Sequence, residues 1–109
     1  MTPAEWGARA LRALEVAARE SGAVLRASSV IVREAVPVRP LPLGVIPDVP
    51  ARVILRGEWD LGDSARMTAA ARTGNAAEFP VDDDPAATFL RMEEAVDAVV
   101  TAALRWGAP

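Results

Sequence analysis

The chain has 109 residues, half of them apolar, with 12 Arg against 15 acidic residues for a net charge of −3, and it contains no Cys, His, Lys, Gln or Tyr. This excludes an imidazole proton shuttle near pH 7, a thiol or lysine nucleophile, the nitrogen and sulfur ligands of zinc, and any disulfide framework. The apolar fraction speaks against disorder, the length fits one domain spanning 1–109, and a sequence pI near 4.9 speaks against nucleic-acid binding.

Residues 3–36 read as one long helix or two short ones. Pro3 suits a first helical turn, and Arg12, Arg19, Arg26 and Arg33 recur at intervals of seven, close to two turns. Leu11, Leu14, Ala17, Ala18, Val24, Leu25, Ile31 and Val32 then form the opposite, apolar face. Ser21-Gly22 is a weak point, and the β-branched run Val30-Ile31-Val32 also suits a strand. The unbroken Arg spacing favours helix through both. The Arg row itself is read first as a solvated face and second as an interface.

Residues 37–50, PVRPLPLGVIPDVP, hold five prolines and must be extended. The apolar residues of this arm, Leu41, Leu43, Val45, Ile46 and Val49, either line the domain's own surface or reach onto a neighbour.

Residues 51–81 are expected to hold a strand, a short helix and a second strand. Val53, Leu55, Gly57, Trp59 and Leu61 alternate with Arg52, Ile54, Arg56, Glu58 and Asp60, the period of a half-buried strand, with Gly57 as a candidate bulge. Asp63 or Ser64 caps a short helix over Ala65–Arg72, ended by Thr73-Gly74-Asn75, and Ala76–Val81 is a brief strand.

The last element, 85–106, is a helix. Asp84 is its N-cap, Pro85 lies in its first turn, and Phe89, Met92, Val96, Val99, Val100 and Ala103 form its buried stripe. Arg105 complements the helix dipole and Gly107 supplies the stop. The expected fold is α+β: a long N-terminal and a C-terminal helix packed on a small antiparallel sheet, with a proline-rich extended arm.

Asp82, Asp83 and Asp84 are the densest acidic cluster. They either cap a helix electrostatically or, with Glu78, Asp60 or Asp63, offer oxygens to a divalent metal. The first reading is preferred, because the spacing is not that of a calcium loop. No catalytic residue, metal site or cofactor is expected: the serines have no histidine to activate them, and there is no phosphate-binding glycine loop. Trp59 is expected in the core. Trp6 and Trp106, near the chain ends, are interface candidates, or else pack on each other. No apolar run reaches a membrane span, and MTPAEWGARAL lacks the order of a signal peptide, so a soluble, cytoplasmically made protein is expected.

Three stretches resemble one family. GAVLRASSVIVREAVPVR at 22–39, NAAEFP at 75–80 and PAATFLRMEEAVDAVVTAAL at 85–104 are similar to the tail-completion and head–tail connector proteins of long-tailed bacteriophages. The chain departs from that pattern at Pro-Leu-Pro-Leu-Gly (40–44), at Ala77 and at Pro80. The resemblance implies a non-enzymatic structural subunit of a phage neck or tail, localised in the virion. Its partners would be copies of itself in a ring and other neck or tail proteins, with no nucleic acid and no membrane.

The charge is split between the halves of the chain, which either neutralise each other inside one fold, the preferred reading, or suit such a ring. Residues 1–40 hold six Arg and four Glu, whereas 41–109 hold six Arg and eleven acids. Head-to-tail contacts would then use Trp6, the Arg row, Leu41, Leu43, Val45, Ile46, Asp82–Asp84 and Trp106. Two alternatives stand beside it: a small helical dimerisation or adaptor protein, and a carboxylate-based metal binder or enzyme.

Overall fold

The computed structural model describes residues 1–37, 39–42, 44–46, 48–60 and 74–106. The expected short helix over 65–72, Leu43, Leu61, Asp63 and Gly107 lie outside the described residues.

Helix α1 spans Pro3–Ser21. Its start is a capping box. The Glu5 amide donates to Thr2 Oγ1 at 3.2 Å, and the Thr2 amide donates to Glu5 Oε1 at 3.2 Å, so two otherwise orphan donors are satisfied reciprocally. These Thr2 contacts, the backbone one first, hold the Glu5 carboxyl below its ordinary pKa. The helix ends at Gly22, which is left-handed at φ 75°, with the Ala23 amide closing onto the Ala18 carbonyl at 3.0 Å.

The expected helix through residue 36 is therefore not formed. Strand β1, Val24–Arg33, follows at once. Seven-residue recurrence of arginine carries no energy of its own, whereas a left-handed glycine and the Val30-Ile31-Val32 run do. Arg12 and Arg19 lie on α1, Arg26 and Arg33 on β1, so the four do not form one helical row.

Strand β4, Arg52–Asp60, is central to a three-stranded antiparallel sheet of order β1-β4-β5, with β5 at Asn75–Pro80. Its alternation is as read: Val53, Leu55, Gly57 and Trp59 are buried. The irregularity in the ladder falls between Leu25 and Ala27 of β1, not at Gly57. Gly57 instead makes room for an indole, since a Cβ there would sit 3.1 Å from the Trp59 ring.

Between β1 and β4 the proline-rich arm folds on itself as strands β2 (Arg39–Leu41) and β3 (Gly44–Ile46). One register governs all of it. In Ser28↔Gly57, Arg33↔Arg52, Val36↔Val49, Arg39↔Ile46 and Leu41↔Gly44, the two residue numbers always sum to 85. The described pairs of 27–58 thus follow one hairpin course, interrupted between the β1–β4 ladder, the isolated Val36↔Val49 bridge and the β2–β3 pair. β5 accompanies it only from Arg52 to Gly57. From the Arg33↔Arg52 pair to the Leu41↔Gly44 pair the ribbon continues for about 26 Å at 3.3 Å per residue. The molecule is accordingly elongated, 55 × 30 × 17 Å.

Helix α2, Pro85–Trp106, packs beside α1 on one face of the sheet, α1 over β1 and β4 and α2 over β4 and β5. The core between the layers takes Trp6, Ala10, Leu14 and Ala18, a row at every fourth residue of α1. It also takes Val53, Leu55, Trp59 and Phe79 from the sheet, and Met92, Val96, Val99, Val100 and Ala103 from α2. Val24 and Ile31, expected on the buried face, are exposed. The fold is α+β, two helices on a three-stranded antiparallel sheet, as the sequence predicts.

Candidate functional site

The sequence-predicted site residues fall into separate groups. Trp6 is only 2% exposed, with its indole inside the core, so it is corrected from interface anchor to core residue. Arg9, which the sequence does not single out, places its guanidinium 5.7 Å from the centre of the Trp6 ring and 5.3 Å from that of Phe89. Trp106 is the last described residue of α2, and its side chain lies outside what the structure describes.

Asp82, Asp83 and Asp84 are exposed at the start of α2, and two of their carboxylates are in use. Asp84 Oδ1 accepts from the Ala86 amide at 3.0 Å, the N-cap bond, and Asp82 Oδ1 accepts from the Asp84 amide at 3.1 Å. Beneath them Thr88 is wholly buried. Its Oγ1 accepts from the Asp82 amide at 2.9 Å and lies within hydrogen-bonding distance of the Asp82 and Asp84 carbonyls, to one of which it donates. This arrangement serves the helix start. Among the described residues no group of three carboxylates is placed to share a metal ion.

The acidic turn sits beside the root of the arm. A depression of about 600 Å³ is bounded by Trp6, Val49, Pro50, Ala51, Asp82 and Asp83, among others. The Val36 and Val49 amides each donate to the other's carbonyl at 2.8 Å, and the Val81 amide donates to the Ala51 carbonyl at 2.8 Å. These bonds fix where the ribbon leaves the body. Next to them on the open face of the sheet, Arg33 stands directly across from Arg52, whose Nε is shielded from water without a hydrogen-bond partner. Two like charges opposite each other disfavour the pairing.

A second depression lies between the helices. It is an open groove of about 580 Å³ with an apolar floor of Ala13, Ala17, Met92, Val96 and Val100. Phe89 lines it as well, and both signs of charge border it: Arg9, Arg12 and Glu20 on α1, Glu93 and Asp97 on α2. Val16 is 49% exposed at its lip. No single sequence stretch announces this groove, because it forms only when α1 and α2 lie side by side. The one local hint is Val16, an apolar residue between Glu15 and two alanines outside the Leu11-Leu14-Ala18 stripe.

No described helix is long and apolar enough to cross a membrane. No protein-family model matches the chain, and no curated protein or solved structure matches it.

Proposed function

We propose that the chain is a non-enzymatic structural subunit of a phage neck or tail, joined head to tail with copies of itself into a closed ring. The observation that carries this reading is the hairpin of residues 27–58, whose distal half runs past its own sheet. A two-stranded ribbon is marginal alone in water, and this one is rich in Val, Leu and Ile. An arm of that kind gains stability against another surface. The side-chain inventory supports the same reading, since carboxylates and unactivated hydroxyls are nearly all the chemistry it offers. The resemblance over 22–39, 75–80 and 85–104 supplies the phage context.

The alternative of a helical dimerisation protein expects little β-structure and an intersubunit role for Leu14. Strand β4 and the burial of Leu14 within the protomer weigh against it. A metal binder relying on Asp82 and Asp84 would have to take them from the cap of α2.

Native mass spectrometry together with negative-stain imaging tests the proposal. A closed oligomer of more than two copies is the expected result. A protein that stays monomeric or dimeric at high micromolar concentration would overturn the ring.

A further inference from the structure

We infer that the groove between α1 and α2 is the receptor for the β2–β3 arm of a second copy, an inference that rests on the assembly reading above. The arm does not serve its own groove. Both helices start at the end where the arm leaves: Met1, Pro3, Trp6 and Pro85 all border the depression at its root. The groove then runs back along α1 from Arg9 to Ser21. The arm instead continues onward from the Arg33 end of β1 and the Arg52 end of β4, away from the groove. Among the described residues, no segment of the same chain fills the groove.

The two surfaces fit in size and in chemistry. Arg9 to Ser21 spans about 18 Å at 1.5 Å per helical residue. The part of the arm beyond Val36 spans a similar length at about 3.3 Å per residue. The arm is made of Val, Leu, Ile and Pro with one Arg, Arg39, and one acid, Asp48. The groove has an apolar floor lined also by an aromatic ring, with Glu93 and Asp97 to meet a cation and Arg9 and Arg12 to meet an anion. The prolines also matter. In a ribbon of two strands every strand is an edge, and proline at 37, 40, 42 and 47 thins the row of free N–H groups that would otherwise recruit more strands. The arm is therefore built to dock through side chains rather than to extend a sheet.

Because arm and groove are different surfaces, the contact is directional, and two defective copies can complement each other. In the first variant, residues 37–48 are replaced by Asn-Gly, which closes the Val36↔Val49 pair with a two-residue hairpin turn and leaves the body intact. In the second, Val16→Arg puts a charge on the half-exposed lip of the groove. Each variant alone is expected to be monomeric by analytical ultracentrifugation. Their equimolar mixture is expected to form a 1:1 heterodimer, the arm of one in the groove of the other.

Cross-linking provides a readout that does not depend on the second variant folding. The chain has no cysteine, and a Cβ at Gly44 meets open space. Gly44→Cys copies mixed with Val16→Cys copies are expected to yield an intermolecular disulfide. Wild-type-like assembly of both single variants, with no cross-link, would overturn the arm-in-groove contact while leaving the ring standing. A wild-type dimer that still cross-links would do the reverse.

Discussion

The Trp59 indole Nε1 donates a 2.8 Å hydrogen bond to Oδ1 of Asn75, the chain's one asparagine. The same amide donates from Nδ2 to the Val99 carbonyl at 2.7 Å, so one side chain ties β4, β5 and α2 together. Trp59 is 3% exposed and has no water to turn to. Asn75→Ala is expected to lower unfolding free energy by about 1–3 kcal/mol, the cost of leaving a buried donor unpaired. Urea denaturation followed by tryptophan fluorescence measures it.

Two glycines have positive φ, Gly22 at 75° and Gly74 at 89°, but their surroundings differ. A Cβ at Gly22 meets nothing within 4 Å, whereas one at Gly74 would fall 2.3 Å from the Gly57 carbonyl oxygen. Gly22→Ala should cost about 1 kcal/mol, the conformational term alone, and Gly74→Ala distinctly more, about 2–4 kcal/mol, because strand β5 must also shift. The ordering of the two thermal midpoints is the check.

Thr88 and Asp84 act on the same helix start. Asp84→Ala removes the N-cap acceptor at about 1 kcal/mol. Thr88→Val leaves the Asp82 amide without its buried acceptor at about 1–3 kcal/mol. The double variant is expected to cost less than the two together, since each change already loosens the turn that the other stabilises. A double-mutant cycle by chemical denaturation decides.

Acidification should fray α1. Glu5 has its pKa lowered below 4.5 in the folded chain by Thr2. A depressed carboxylate contributes stability above its unfolded pKa and loses it as pH falls through the folded value. Hydrogen exchange at the α1 N-terminus should therefore be protected near neutral pH and lose protection as the pH falls below the ordinary glutamate range, and Thr2→Ala should abolish that pH dependence.

Arg33 and Arg52 repel across β1 and β4. Arg33→Glu turns the pair into an attractive one and is expected to raise stability by about 0.2–1 kcal/mol, an effect that shrinks as salt is added. Denaturation at low and high ionic strength reads both parts.

Much of this fold is written locally. Strand β4 follows from strict alternation around Val53, Leu55 and Trp59, α2 from Asp84, Pro85 and its stripe from Phe89 to Ala103, and β5, observed at Asn75–Pro80, from the short run expected at Ala76–Val81. At Gly22 two local signals conflict, and the left-handed glycine prevails over an arginine period that costs the chain nothing to break. Trp6 is buried although it lies near a chain end, because a helix starts there and faces the core. The arm was legible as extended but not as a continuation of β1 and β4, because that depends on pairing Ser28 with Gly57 and Leu41 with Gly44 in one register. The groove needs Val16 beside Val96, eighty positions apart, and no local pattern encodes such a meeting.

The single register of the hairpin also makes the arm a length that can change independently of the body. Adding or removing one residue on each side of the turn between Leu41 and Gly44 moves the tip by about 3.3 Å. Every pair below it, Arg33↔Arg52 included, keeps its partner. A change on one side alone would force a bulge and re-aim the tip. Reach is thus set in discrete steps, like the marks on a ruler, and the spacing between joined copies could be retuned by paired insertions that never disturb the core.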